Sequence, residues 1–329
     1  MNGFAPGGAS ANVKFKLEGF RPLGDFLVVS PSTCVTPCEV HVAVNPNLVG
    51  LGGPGRVGAI AVTFVTVDQT PPSRSGISVT VTLVRPPSPV VRAVVNSASL
   101  EPAVTPGALV SVLGSSLAPT LSGSFDSGGL FPTTLGGTSV TFNDIPAPLI
   151  STTAGRINAV APYELAGQKV AEVVVRYRPG TTAEKTSAAF SVPVTDTVLA
   201  IFTSARSGSG QPGILNCDGE GCAANQPQNP APPGSIISMF GTAAGIWTNS
   251  VPDGAVSVMA RSFDYSQVSL TIGGQPARIL YAGTAPFQVW GVFQVNAIVP
   301  TGLPSGPQDV VLTVGQLSNA PESVFVFVK

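Results

Sequence analysis

Four cysteines and a single histidine are the residues of this chain with the most chemistry to offer. A Ser-His-Asp or Cys-His arrangement would have to use His41, yet His41 alternates with Val40, Val42 and Val44 and no nucleophile motif lies near it. Catalysis is not expected. The cysteines fall as two close pairs, Cys34 with Cys38 and Cys217 with Cys222, a spacing that predicts two local disulfides in an oxidising compartment. The alternatives are reduced thiols, or a shared four-cysteine zinc site, which would need pairs from different domains to converge. Rings this small stabilise by only about 2 kcal/mol in the chain-entropy account of disulfides. Asp218 and Glu220, inside the second cysteine loop, offer two carboxylates, whereas calcium takes about six or more oxygens. An exposed acidic turn is the expectation, with no metal. The glycines between Ser207 and Gly213 do not lead from a strand into a helix, so they read as a flexible connection and not as a phosphate cradle. No cofactor is implied.

Six aromatic residues, Trp247, Trp290, Tyr163, Tyr177, Tyr265 and Tyr281, are the candidates for stacking on sugar rings. Aromatics make up only 7% of the chain, and Trp290 sits in an apolar, strand-like run, so core or rim packing is the expected role. Asn158 and Asn296 occupy one place in two similar blocks. Two copies would not share a ligand, so both read as structural amides that satisfy loop backbone groups.

Those similar blocks organise the chain. PGALVSVLG (Pro106 to Gly114) returns as PGSIISMFG (Pro233 to Gly241), and SVTFNDIPAPLI (Ser139 to Ile150) as SLTIGGQPARIL (Ser269 to Leu280). RINAVAP (Arg156 to Pro162) returns as QVNAIVP (Gln294 to Pro300), and AEVVVRY (Ala171 to Tyr177) as QDVVLTV (Gln308 to Val314). Blocks that recur in one order make one unit used twice, with the length differences in the loops between them. Inside each unit, Asn143-Asp144 and Gly273-Gly274 stand at the same place between strands, and both pairs tolerate the positive φ of a two-residue primed hairpin turn. Earlier in the chain, Val13, Phe15 and Leu17 alternate with Lys14 and Lys16, and Ile77, Val79, Val81 and Leu83 alternate with Ser78, Thr80 and Thr82. Period two throughout is the signature of half-buried antiparallel strands. Arg85-Pro86-Pro87-Ser88-Pro89 cannot continue a central strand, which sets a domain boundary there.

Composition agrees with short strands and many turns. Gly and Pro number 37 and 32, and only 10% of residues are charged against a usual figure of about 25%. With 16 Lys and Arg against 17 Asp and Glu and no basic run, neither nucleic acid nor an anionic membrane is an expected partner. No apolar stretch is long enough for membrane insertion, and the N-terminal residues lack the apolar core of a secretory signal. The cysteine pairs therefore point to an extracellular protein whose signal is absent or already removed.

Several separated motifs carry a resemblance: Val94-Val-Asn-Ser-Ala-Ser99, Pro106-Gly107, Phe131-Pro-Thr-Thr-Leu-Gly-Gly137, Asn158-Ala-Val-Ala-Pro-Tyr163, Asn229-Pro-Ala-Pro-Pro-Gly234 and Gln294-Val-Asn296. Over residues 90 to 329 the chain resembles the C-terminal module of a large paralogous family of secreted bacterial proteins. That resemblance implies two immunoglobulin-like sandwiches of the kind found in cell-surface and adhesive proteins, and it carries over no catalytic residue. Residues 20 to 85 more faintly resemble the BACON-like sandwich that often precedes it, through Ser30-Pro31-Ser32 and Val44-Asn45-Pro46, with Cys34 and Cys38 as a departure.

The expected architecture is all-β, with three tandem immunoglobulin-like antiparallel sandwiches over residues 1–88, 89–195 and 196–329, the last two an internal repeat. The expected role is extracellular and structural or adhesive, as a subunit that polymerises head to tail or meets other cell-surface proteins and glycans. In that reading a terminal strand completes a neighbour's sandwich, donated from Val13, Phe15 and Leu17 or from Val324, Val326 and Val328. The rival is a carbohydrate- or surface-binding accessory module.

Overall fold

In the computed structural model the strands of residues 15–23, 27–30, 41–44, 56–66 and 74–83 are described, followed by residues 88–181, 183–196, 198–203, 210, 212–218, 221–245, 251–319 and 324–329. The protein is all-β: every named strand pairing is antiparallel, and among the described residues the helical turns are two short 3₁₀ segments, Tyr163–Leu165 and Tyr265–Gln267. The chain divides into two compact units, Met1–Pro87 and Ser88–Lys329.

In the first unit, β1 (Phe15–Leu23), β4 (Arg56–Thr66) and β5 (Arg74–Leu83) form one sheet in the order β1-β4-β5. A second sheet pairs β2 (Leu27–Ser30) with β3 (His41–Val44). Phe15 and Leu17 lie opposite Thr66 and Phe64 in the β1–β4 ladder, and His41 opposite Ser30. Val13, Cys34 and Cys38 lie outside the described residues.

The second unit holds both copies of the repeat. The first copy runs through β6 (Val90–Asn96), β7 (Leu109–Ser115), β8 (Leu121–Ser122), β9 (Thr134–Leu135), β10 (Thr138–Phe142), β11 (Ile145–Pro146), β12 (Leu149–Thr152), β13 (Arg156–Val160), β14 (Val170–Tyr177), β15 (Lys185–Thr186) and β16 (Phe190–Pro193). One sheet has the order β6-β7-β13-β12-β8, and the other is β11-β10-β14-β15 with β9 on β10 and β16 on β14. The second copy uses β17 (Ala200–Ile201), β18 (Leu215–Asp218), β19 (Gly221–Ala224), β20 (Ile236–Thr242), β21 (Val268–Ile272), β22 (Gln275–Pro276), β23 (Arg278–Thr284), β24 (Val292–Ile298), β25 (Gly306–Val314), β26 (Leu317–Ser318) and β27 (Phe325–Val328). Its sheets are β19-β18-β20-β24-β23, with β17 on β20, and β22-β21-β25-β26, with β27 on β25.

The repeated blocks become superimposable cores because alternate residues of a strand face one side. Val110 and Val112 of β7, Ile157 and Ala159 of β13, Val140 and Phe142 of β10, and Val173 and Val175 of β14 are buried together. Ile237 and Met239, Val295 and Ala297, Leu270 and Ile272, and Val310 and Leu312 repeat that core position for position. Each fully buried aliphatic side chain contributes about 1.5–3 kcal/mol of transfer free energy. Between the paired blocks, Asn143 and Asp144 adopt φ of 49° and 63°, and Gly273 and Gly274 adopt 56° and 74°. Positive φ at both central residues is the two-residue hairpin that matches strand twist.

The copies differ at their first strand. In the first copy β6 runs along β7 as one strand, from Val90 opposite Ser115 to Asn96 opposite Val110, with a bulge between Val91 and Ala93. In the second that edge is split: β17 pairs with Gly241 and Thr242, and β18 with Ile236 to Ser238. Within the expected flexible connection, Gly210 and Pro212 make isolated bridges. Gly210 bridges Val324, Pro212 bridges Thr203, and the Gly213 N–H donates to the Phe202 carbonyl at 2.8 Å. Leu199, Ala200 and Ile201 are core residues, and burial of their apolar surface is what draws this segment in.

A fragment beginning at Ser88 is expected to melt cooperatively with native-like chemical shift dispersion, because both repeat cores close within that unit. A fragment that binds a hydrophobic dye and gives no sharp transition would show that the second unit needs the first.

Candidate functional site at the junction of the two sandwiches

The two copies of the second unit meet in an apolar contact. Val160 from the first packs with Ala285, Val289 and Val292 from the second, walled by Leu109, Phe131, Ile150, Phe202 and Phe240. Backbone meets backbone at its edge, where a Cβ on Gly291 would come within 2.2 Å of the Gly107 carbonyl oxygen. Only glycine allows that approach. Beside it the hydroxyl of Thr242, itself fully buried, accepts the Leu109 N–H at 2.9 Å and donates to the Gly291 carbonyl at 2.7 Å. One side chain thereby satisfies a main-chain group on each side of the junction.

The segment from Val251 to Ser257 straps across to the first sandwich. Leu130 and Ala255 form an antiparallel bridge, with Phe131 N–H donating to the Gly254 carbonyl at 3.1 Å and Val256 N–H to the Gly129 carbonyl at 2.8 Å. Gly254 has φ +71°, and a Cβ there would sit 2.5 Å from Pro148. The strap also carries Asp253, whose carboxylate accepts the Tyr163 N–H at 2.9 Å. Burial pushes the Asp253 carboxyl up to about 6, the charge of Glu164 and a hydrogen bond to it add to the rise, and the Tyr163 N–H opposes it. Tyr163 is pushed up to about 12, first by burial and then by the Asp253 charge.

Between these contacts lies a shallow cleft lined by Pro106, Gly107 and Tyr163 on one side and by Phe263, Trp290 and Phe293 on the other. Its free volume accommodates roughly one water molecule, far less than a sugar ring needs. Trp290 lies in the turn before β24, not in a strand, and the Arg261 guanidinium stands 5.2 Å from its ring centroid. That stacking is a cation–π contact.

The other residues singled out by sequence are scattered. Tyr177 carries Arg178 over its ring at 5.4 Å, and the Tyr281 hydroxyl donates to the Thr284 carbonyl at 2.5 Å. Tyr265 falls in the second 3₁₀ turn, while Trp247 and Glu220 lie outside the described residues. Asp218 pairs with Gly221 in the β18–β19 hairpin, and Cys217 and Cys222 are joined as a disulfide across directly opposed positions of it. Asn158 and Asn296, expected to satisfy loop backbone groups, lie in the central strands β13 and β24. Ser111 Oγ donates to Asn158 Oδ1 and Ser238 Oγ to Asn296 Oδ1, both at 2.8 Å, so the repeated asparagine serves a cross-strand side-chain pair and not loop backbone. Val324, Val326 and Val328 are buried in the core of their own sandwich, with β27 laddered to β25 from Gly306 to Asp309. As folded, that strand is occupied at home and is not presented to a neighbour.

No family model matches the chain, and no curated protein does. Among solved structures, SGBP-B of a Bacteroides ovatus mixed-linkage glucan utilization locus, in complex with a heptasaccharide, aligns at 10% identity with a TM-score of 0.33. The alignment covers 94% of this chain and 61% of that one, so the chain spans about three fifths of that protein's length. The surface layer protein SbsC, domains 4–9, aligns at 15% identity and TM-score 0.23, over 95% of this chain and 38% of that one. The plexin A4 extracellular region aligns at 9% identity and TM-score 0.26, over 95% and 30%. At these scores the likeness says nothing about ligand or role.

The strap makes a pH prediction. The Asp253 carboxyl binds its proton more tightly folded, near 6, than unfolded, near 3.9. Its contribution to stability is full below about pH 4 and is lost as pH rises through 6. Asp253→Asn keeps an acceptor for the Tyr163 N–H and removes the titration. The melting temperature of wild type should therefore fall relative to that of the variant between pH 4 and 7, and parallel curves would refute the assignment.

Proposed function

We propose that this is an extracellular protein of the cell surface with a structural or adhesive role, in which the two repeat sandwiches serve as one stiff spacer. The observation that carries the reading is the junction. Two sandwiches joined by a flexible linker would move independently, but here an apolar contact, a backbone bridge and the Thr242 hydroxyl join them. The disulfide in the β18–β19 hairpin supports an oxidising compartment. A surface with few charges offers little repulsion against self-association.

The finer form of the proposal is a head-to-tail homopolymer. Of the two donor strands the sequence offers, the C-terminal one would first have to leave its own core, whereas β1 ends its sheet in the first unit with β4 on one side. Addition at that edge would use main-chain hydrogen bonds. The rival, glycan recognition, draws on the exposed Phe287 and Met259, at 72% and 66% exposure, and on Trp290.

Electron microscopy and light scattering of the concentrated full chain, beside a glycan array, separate these readings. The proposal expects fibres or larger assemblies and no saturable glycan binding. Saturable binding lost in Trp290→Ala moves the function to the rival, and a monodisperse monomer at every concentration removes the polymer.

A further inference from the structure

The C-terminal strand β27 is held along both of its edges. On one side it ladders with β25, and the Val310 N–H donates to the Val324 carbonyl at 2.8 Å. On the other it meets the chain that leaves the β18–β19 hairpin. Ala231 N–H donates to the Phe327 carbonyl at 2.8 Å, Lys329 N–H donates to the Ala231 carbonyl at 2.9 Å, and Ala231 bridges Val328 in parallel.

The centre of this second edge is Asn225, the residue after β19, which is 2% exposed. Its amide reads the Phe327 main chain in both directions: Oδ1 accepts the Phe327 N–H and Nδ2 donates to the Phe327 carbonyl, each at 2.9 Å. Nδ2 also donates to Asn216 Oδ1 at 2.9 Å, and Asn216 Nδ2 donates to the Asn229 carbonyl at 2.7 Å. Asn216 precedes Cys217 in β18, and Asn225 follows the strand that holds Cys222. The disulfide, joining directly opposed residues with Cα atoms 4.2 Å apart, therefore fixes the two strands from which the asparagine pair projects.

We propose that the disulfide-pinned pair of strands β18 and β19 is a latch, acting through Asn225, that keeps β27 in its own sandwich, and that opening it lets two copies of this chain exchange their C-terminal strands. The groove that β27 fills is lined by the partners of Val324, Val326 and Val328. The segment that fits it best is the same strand of a second copy. Exchange of an identical element is a low-cost route to association, and a reciprocal exchange closes as a two-fold dimer. A closed dimer distinguishes this device from the open fibre considered above, and it does not depend on the surface role.

Hydrogen exchange read by NMR on the full chain tests the latch, with Asn225→Ala, Cys217→Ser/Cys222→Ser, and wild type treated with dithiothreitol. In the last, the S–S bond breaks to two cysteine thiols while the dithiol is oxidised to its cyclic disulfide. The Phe327 amide should exchange about tenfold faster or more in all three, the size expected from losing two ordinary hydrogen bonds, while the Met239 amide in β20 keeps its rate. On concentration, light scattering should show in the opened forms a closed dimer that oxidised wild type at the same concentration does not form. An unchanged Phe327 rate, an equal rise at Met239, or local release without a dimer would each overturn the proposal.

Discussion

Gly291 has no side chain because the Gly107 carbonyl stands where one would go, and much of the second unit follows from that approach. With the two backbones this close, the Thr242 hydroxyl reaches both the Leu109 N–H and the Gly291 carbonyl, and Val160 reaches Val289 and Val292. The same approach shrinks the cleft beside Tyr163 and Trp290 to the size of a water molecule. It also brings the strap close enough for Asp253 to accept the Tyr163 N–H, which places a carboxyl where burial raises it. As built, the cleft is part of a joint.

Within each sandwich the constraint is ordinary alternation. Two equivalent sets of Val, Ile, Leu and Met side chains face each other across two sheets, and the polar partners of the alternation, Ser111 with Asn158 and Ser238 with Asn296, pair on adjacent strands. The duplication is least faithful at the first strand of each copy, where the second inserts the disulfide hairpin. Both copies hold their last strand along a second edge, through Val104 beside Val194 in the first and Ala231 beside Val328 in the second, and the insertion adds the Asn225 amide to that edge. Divergence between the copies thus marks the place where the second sandwich adds a side-chain clamp on its last strand.

The strands and turns were legible because their causes are local. Period-two runs such as Val173 to Val175 and the paired turn residues Asn143-Asp144 and Gly273-Gly274 need no knowledge of distant chain. The junction was not legible, since Leu109 and Thr242, or Tyr163 and Asp253, are far apart in sequence and of types with no characteristic spacing. Asn158 and Asn296 were read as structural amides serving loop backbone because their repetition said nothing of the partner, whereas a serine on the facing strand makes them cross-strand partners. The apolar Val324 to Val328 run marked a strand that could complete a neighbour's sandwich without showing that the sandwich it completes is its own.

The central claim is that the two repeat sandwiches move as one body. Residual dipolar couplings of backbone amides in the full chain test it directly. Couplings from β7, β13 and β14 and from β20, β24 and β25 are predicted to fit a single alignment tensor with the junction geometry described. Two tensors of different magnitude or orientation would mean that the sandwiches reorient independently, and the account of the junction would be wrong.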